Sequence, residues 1–181
     1  MLDFSKNYFE LFGMPVGFVL DTAELASRYR ELQRVVHPDR YANATDQERR
    51  LSMQGATRIN EAYQVLKDPI TRARYLLLLN GIDVDGEKDN TTDTAFLMEQ
   101  LELREELERA RHHADPHHAI ARLMVHINGT MKRLTGQLAL QLETATAEQL
   151  EQARETVRKM QFLQKLRTRA EALEAELDEA L

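Results

Sequence analysis

The stretch DTAELASRYRELQRVVHPDRYANATDQERRLSMQGATRINEAYQVLKDP, Asp21 to Pro69, decides how the first half of this chain folds. Within it Leu25, Tyr29, Leu32 and Val36 recur at three-to-four spacing, and Ala56, Ile59, Tyr63 and Leu66 repeat the pattern. Apolar side chains at that spacing line one face of an α-helix. Two such helices in succession predict an antiparallel helical hairpin. The starts carry their own chemistry: Asp21 with Glu24, and Thr45 with Glu48, set a short acceptor before a helix and a carboxylate three residues on. Each member can then satisfy an orphan backbone N–H. At Asp68-Pro69 an acid precedes proline at a first helical position, where the missing N–H costs nothing.

The hairpin connection is VVHPDRYANAT, Val35 to Thr45, with His37-Pro38-Asp39 at its tip. Pro38 stops the helix before it. At about 100° per residue, Arg30 and Arg34 lie opposite the apolar stripe of the helix over 21–36, and Arg40 follows in the connection. A small basic face therefore leads into the tripeptide. Taken alone, Pro38 also reads as a mere terminator, His37 as a partner of the helix dipole, and the arginines as a solvated face.

Outward from the hairpin, residues 81–92, GIDVDGEKDNTT, combine two glycines, an asparagine and four acids with little apolar content. That is the composition of a solvated connector. The expected organisation is a domain over 1–80, a linker over 81–92 and a second domain over 93–181. In the second domain Ile120, Met124, Ile127, Met131, Leu134, Leu138 and Leu142 form one seam, and Leu163, Leu166, Ala170, Leu173 and Leu177 another. Asp115-Pro116 and the Thr146/Gln149 pair mark the starts of their helices. With a third helix over about 94–111, the expected architecture is all-α throughout, the second half being a three-helix bundle. An extended coiled coil is the alternative.

The helix over 94–111 needs two surfaces. Phe96, Leu103, Leu107 and Ala110 fall within about 60° of one another, whereas Leu97, Met98 and Leu101 lie about 100° to 200° around from Phe96. The first stripe is core. The second is bordered by Glu105 and Glu108, with Glu102 at its margin, and apolar patches rimmed by charge mark partner sites. Packing under the linker or against the first domain is the alternative. Phe162, one residue from Leu163, falls about 100° off the seam of the last helix and is expected at the surface; a core-edge aromatic is the other reading.

Composition removes several function classes. The chain has 181 residues, 43% hydrophobic and 30% charged, enough to bury a core. It has no cysteine, so disulfides, thiolate metal sites and cysteine nucleophiles are excluded. With 24 Lys and Arg against 30 Asp and Glu the net charge is −6, which argues against nonspecific nucleic-acid binding. No apolar run approaches the roughly 20 residues of a membrane span, and residues 1–10 lack the basic start of a signal peptide. A cytoplasmic protein is expected. In RHHADPHHAI, His113 and His117 have the i,i+4 spacing of a metal pair, but Pro116 interrupts them, and solvated turn histidines are expected. No Gly-rich phosphate loop is present, nor a buried-looking carboxylate pair or a Ser/His/Asp arrangement at a motif spacing, so neither an enzyme nor a cofactor is expected.

The first half resembles a J-domain, the module of DnaJ-type co-chaperones. The resemblance rests on NYFELFGM at Asn7 to Met14, the amphipathic second helix, HPD at 37–39, and INEAYQVLKDPITRARY at Ile59 to Tyr75. It implies binding to an Hsp70-class chaperone of the HscA or DnaK type through His37, Pro38, Asp39, Arg30, Arg34 and Arg40, and acceleration of that partner's ATP hydrolysis. With DTAFLMEQLELREEL and VRKMQFLQKLRTRAEAL added, nearly the whole chain resembles the HscB-type co-chaperones of iron–sulfur cluster assembly. That implies a J-domain on a three-helix bundle that binds the scaffold protein IscU. Carried over by motif, the scaffold-binding positions are Leu97, Met98, Leu101, Glu102, Glu105 and Phe162.

Arg104 and Arg109 interrupt the acidic run, and Arg40 replaces the lysine common after HPD. Since the chain starts directly at the J-domain, without the cysteine-rich extension of many eukaryotic relatives, a bacterial type is expected. The expected protein is a monomeric adaptor with two partners and no membrane or nucleic-acid role. Its rivals are a general J-protein whose bundle takes another client or dimerises, and a helical nucleic-acid-binding protein using Arg30, Arg34 and Arg40.

Overall fold

In a computed structural model, residues 5–36, 45–84 and 94–179 are described. Seven helices follow in order: α1 (Tyr8–Leu11), α2 (Thr22–Val35), α3 (Asp46–Lys67), α4 (Pro69–Leu79), α5 (Thr94–Arg111), α6 (Pro116–Thr144) and α7 (Ala147–Glu179). Among the described residues there is no strand, and the all-α class stands. The chain divides into two compact units, one up to Leu76 and one from Leu77 onward, so the division falls inside α4.

The helix starts form as their residue types dictate. Thr45 and Glu48 make a reciprocal capping box, and Thr146 and Gln149 exchange the same pair of bonds at 3.3 Å each. At Asp21 only half of the box is present. Its carboxylate accepts from the N–H groups of Ala23 and Glu24 at 2.9 and 3.0 Å, but the Glu24 side chain turns to Arg28 at 2.6 Å. Asp68 accepts from Ile70 and Thr71 at 2.9 Å, and Asp115 from His118 at 3.1 Å. A further box, Asn7 with Glu10, starts the four-residue α1.

In the first unit α2 and α3 run antiparallel, and the order of their contacts shows it. The Tyr29 ring stacks on Tyr63 at 4.1 Å, the Tyr29 hydroxyl and the Gln33 amide both donate to Asn60 Oδ1, and Ser52 Oγ donates to the Val36 carbonyl at 2.7 Å. Leu25, Val36, Ile59 and Leu66 are buried together with Phe9, Phe12 and Phe18. Of the expected stripes, Tyr29, Leu32, Ala56 and Tyr63 are half-buried. Arg72 is buried too: its Nη1 donates to the Leu66 carbonyl at 2.6 Å, its guanidinium lies 5.1 Å from the Phe18 ring centre, and desolvation holds its pKa below the ordinary value.

The second unit is the expected bundle. The face of α6 is Ile120, Leu123, Ile127, Leu134 and Leu138, all buried, whereas Met124, Met131 and Leu142 are half-buried. On α7 the buried set runs from Leu150 through Ala153, Val157 and Met160 to Leu163, Leu166, Ala170 and Leu173, with Leu177 half-buried. α7 packs on both α5 and α6, which is why its buried stripe extends along almost the whole helix. Arg158 donates to the Val84 carbonyl at 3.3 to 3.4 Å, tying the segment after α4 to α7.

Candidate functional site

Two surfaces carry the sequence-derived candidates. On α2, Arg30 and Arg34 are exposed on the side away from the buried Leu25. His37, Pro38, Asp39 and Arg40 lie outside the described residues. The last described residue before them is Val36, the C-cap of α2, whose N–H donates to the Leu32 carbonyl at 3.2 Å. Its own carbonyl is taken by the buried Ser52 hydroxyl. Ser52 therefore fixes the chain immediately ahead of the tripeptide, a role not read from the sequence. The available signal was a serine inside the buried series Gly55, Ile59, Ala62 and Leu66.

On α5 the two-surface reading is reproduced residue by residue. Phe96, Leu103, Leu107 and Ala110 are buried. Leu97, Met98 and Leu101 are 48%, 61% and 58% exposed. Glu102 and Glu105 are exposed beside them. Arg109 is engaged with Glu105, donating to its carbonyl at 3.2 Å and pairing with its carboxylate at 4.0 Å.

Phe162 departs from expectation: it is half-buried rather than at the surface. Its ring meets Phe96 in a T-shaped contact, centroids 5.9 Å apart, and the Arg104 guanidinium covers it at 5.3 Å. Lys159 Nζ lies 5.1 Å from the Phe96 ring centre. An aromatic adjoining a seam is thus drawn toward the core by a neighbouring ring and capped by a cation. The side-chain contacts make Phe162 the border of the exposed patch, with Leu97, Met98 and Leu101 as its open apolar area.

The histidine cluster does not assemble. His113 Nδ1 accepts from the Asp115 N–H at 3.1 Å, while His117 Nδ1 sits 3.8 Å from the Asp178 carboxylate. Among the described residues no group of three His, Asp or Glu side chains is placed to hold a metal ion. Among them, too, no helix is long and apolar enough to cross a membrane.

A helical hairpin of this sequence type, joined to a three-helix bundle that leaves apolar side chains outside its core, defines a J-domain co-chaperone. Residues 7–75 match the family model described as the DnaJ domain, and residues 92–171 match the one described as the HSCB C-terminal oligomerisation domain. The co-chaperone protein HscB homolog of Shewanella amazonensis is 45% identical over 168 residues, covering 93% of this chain and 97% of that protein. The solved chaperone HscB from Vibrio cholerae superposes with a TM-score of 0.84 at 41% identity, covering 95% of this chain and 99% of that one. Human co-chaperone HscB gives 0.85 at 30% identity, covering 94% and 83%. The chain belongs to the HscB family of co-chaperones.

Proposed function

We propose that this co-chaperone acts in the cytoplasm, binds an Hsp70-class chaperone of the HscA or DnaK type through its J-domain, stimulates that partner's ATP hydrolysis, and presents to it an iron–sulfur scaffold protein of the IscU type. The observation that carries the client half of the reading is the exposure of Leu97, Met98 and Leu101 on a helix whose opposite stripe is buried. Such side chains in water favour a partner that covers them.

On the chaperone side, Arg30, Arg34 and Arg40 steer the hairpin toward an acidic surface, an effect on encounter rate that weakens with salt. Pro38 limits backbone freedom at the tip, Asp39 supplies a carboxylate for charge-assisted hydrogen bonds, and His37 supplies a ring donor. The ATPase chemistry belongs to the partner. Carrying both sites on one chain raises the local concentration of scaffold at the chaperone without any new contact between them. The J-domain then favours the tight-binding ADP state of the chaperone while the scaffold is at hand, which promotes cluster transfer.

The test is the steady-state ATPase rate of the cognate chaperone with and without this protein and the scaffold. Asp39→Asn should abolish stimulation and leave scaffold binding unchanged; loss of both would trace to a damaged fold and sink the division of labour. Leu97→Ala and Met98→Ala should each weaken scaffold binding by about 1–3 kcal/mol, read by calorimetry, and an unchanged dissociation constant removes the patch from the account. A second reading, self-association of the bundle, is favoured by the description of the family model matched at residues 92–171. Sedimentation of the protein alone separates the two: a dimer lost in the Leu97→Ala, Met98→Ala double variant assigns the patch to a second copy.

A further inference from the structure

The border of the α5 patch carries one cation whose placement differs from every carboxylate around it. On the helix circuit Arg104 stands about 80° from Phe96, between the buried stripe and Leu97 and Leu101 at about 100° and 140°. Its guanidinium is held over the Phe162 ring, and that ring is itself fixed against the buried Phe96. Arg109 is engaged with Glu105. Arg104 has no carboxylate or carbonyl partner among the described residues, although Glu108 follows one turn later.

A guanidinium carries five N–H donors in a rigid planar fork that matches a carboxylate with two parallel bonds. A guanidinium placed over a ring is attracted by its charge and does not spend its N–H donors on that contact. We infer that Arg104 is a specificity-determining residue of the patch, receiving a carboxylate of the protein that docks on Leu97, Met98 and Leu101. This rests on the scaffold-binding reading above and adds to it the polarity of the docked surface. The ring orders the arginine before the partner arrives, so little side-chain freedom is lost on docking. Glu102, at about 240°, stands past Met98 and forms the opposite edge, with Glu105 at about 180° one turn along from Leu101. The partner therefore carries a carboxylate at the Phe162 edge of its apolar footprint and cations at the other, and that asymmetry fixes one docking orientation. Lysine does not replace Arg104, because a point charge on a flexible stem lacks the planar fork that matches a carboxylate.

The competing role for Arg104 is to shield Phe162 from water, and it gives the opposite sign. The purified scaffold protein is titrated into the full-length wild type and into Arg104→Ala, Arg104→Lys and Arg104→Glu at low and high salt, with melting curves confirming an unchanged fold. Arg104→Ala should raise the dissociation constant about tenfold, Arg104→Lys nearly as much, and Arg104→Glu further. The Arg104→Ala loss should shrink in high salt, whereas the loss in Leu97→Ala should not. Arginine in place of one scaffold carboxylate should restore binding to Arg104→Glu and not to Leu97→Ala. Arg104→Gln serves if the alanine variant melts early. Binding by Arg104→Ala that equals or exceeds wild type, or by Arg104→Lys that equals it, overturns the inference. Failure of the wild type itself to bind the scaffold overturns the client reading instead, and this inference with it.

Discussion

The two units reach stability by different routes. In the first, α1 has 4 residues and α2 has 14, against 22 for α3, and helices as short as the first two need tertiary contacts to hold them. They are joined by side-chain bonds between elements distant in sequence. Tyr8 N–H donates to the Tyr75 hydroxyl at 3.0 Å beneath a stack of the two rings at 4.4 Å, Arg28 Nη1 donates to the Phe12 and Gly13 carbonyls at 2.7 and 2.8 Å, and Arg58 donates to the Lys6 carbonyl at 2.8 Å. In the second unit α6 and α7 have 29 and 33 residues, and aliphatic seams run their length. Most polar contacts there stay within one helix, as at Arg154–Glu151 and Arg167–Glu171; Arg111–Glu176 at 2.7 Å is an exception. Short helices need specific bonds to set their angles, whereas long ones set their angles by interdigitation.

The largest test of that contrast uses core truncation with a probe confined to one unit. All five tyrosines precede Leu77 and tryptophan is absent, so near-ultraviolet tyrosine dichroism reports the first unit alone. Ile59→Ala and Leu138→Ala, at sites fully buried in the two units, should each cost about 2–5 kcal/mol. Ile59→Ala should shift the tyrosine transition to lower temperature, and Leu138→Ala should shift helix loss in the far ultraviolet without moving it. A tyrosine transition that moves in Leu138→Ala would make the molecule one cooperative block and erase the contrast.

Next in size is the polar route itself. Arg72→Ala leaves the Leu66 carbonyl without its donor inside the first unit and should cost about 1–3 kcal/mol, measured by urea denaturation on the tyrosine signal. Thr45→Ala should cost about 1 kcal/mol through loss of the α3 cap. The same cap holds the exposed Glu48 carboxyl below its usual pKa, through hydrogen bonds from the Thr45 backbone and then its side chain. A carboxylate depressed on folding contributes stability above the unfolded carboxylate pKa and loses it as pH falls through the folded value. As pH falls from the ordinary carboxylate pKa through the lowered Glu48 value, melting temperature should therefore drop less steeply in Thr45→Ala than in wild type. Smallest is Arg111→Ala in the bundle, where both partners of the ion pair are about half exposed: its cost should stay under about 1 kcal/mol. A larger value would mean that the bundle, too, depends on polar ties.

Much of the fold was legible because its signals are local. Angular arithmetic separated Phe96, Leu103, Leu107 and Ala110 from Leu97, Met98 and Leu101 without error, since one helix contains all seven. The Asp-Pro starts at Asp68 and Asp115 needed no tertiary knowledge either. Where two or more elements decide, the sequence was silent or misleading. Leu123 is buried where Met124 was expected, because spacing alone cannot say on which side of a seam the neighbouring helix lies. Arg72 is buried because Phe18 and the Leu66 carbonyl, remote in sequence, receive it. Phe162 turned inward because Phe96 is there to meet it.

Gly13 closes the loop after α1 at φ +62°, and a methyl group placed on it would come within 2.7 Å of Arg28 Nη1. The positive φ disfavours any side chain here, and the guanidinium that seals the end of α1 would have to move to admit one. Any larger residue there must either twist the turn or evict the arginine from the Phe12 and Gly13 carbonyls. A one-atom vacancy thereby governs whether the opening helix stays latched to the arm that presents the basic face.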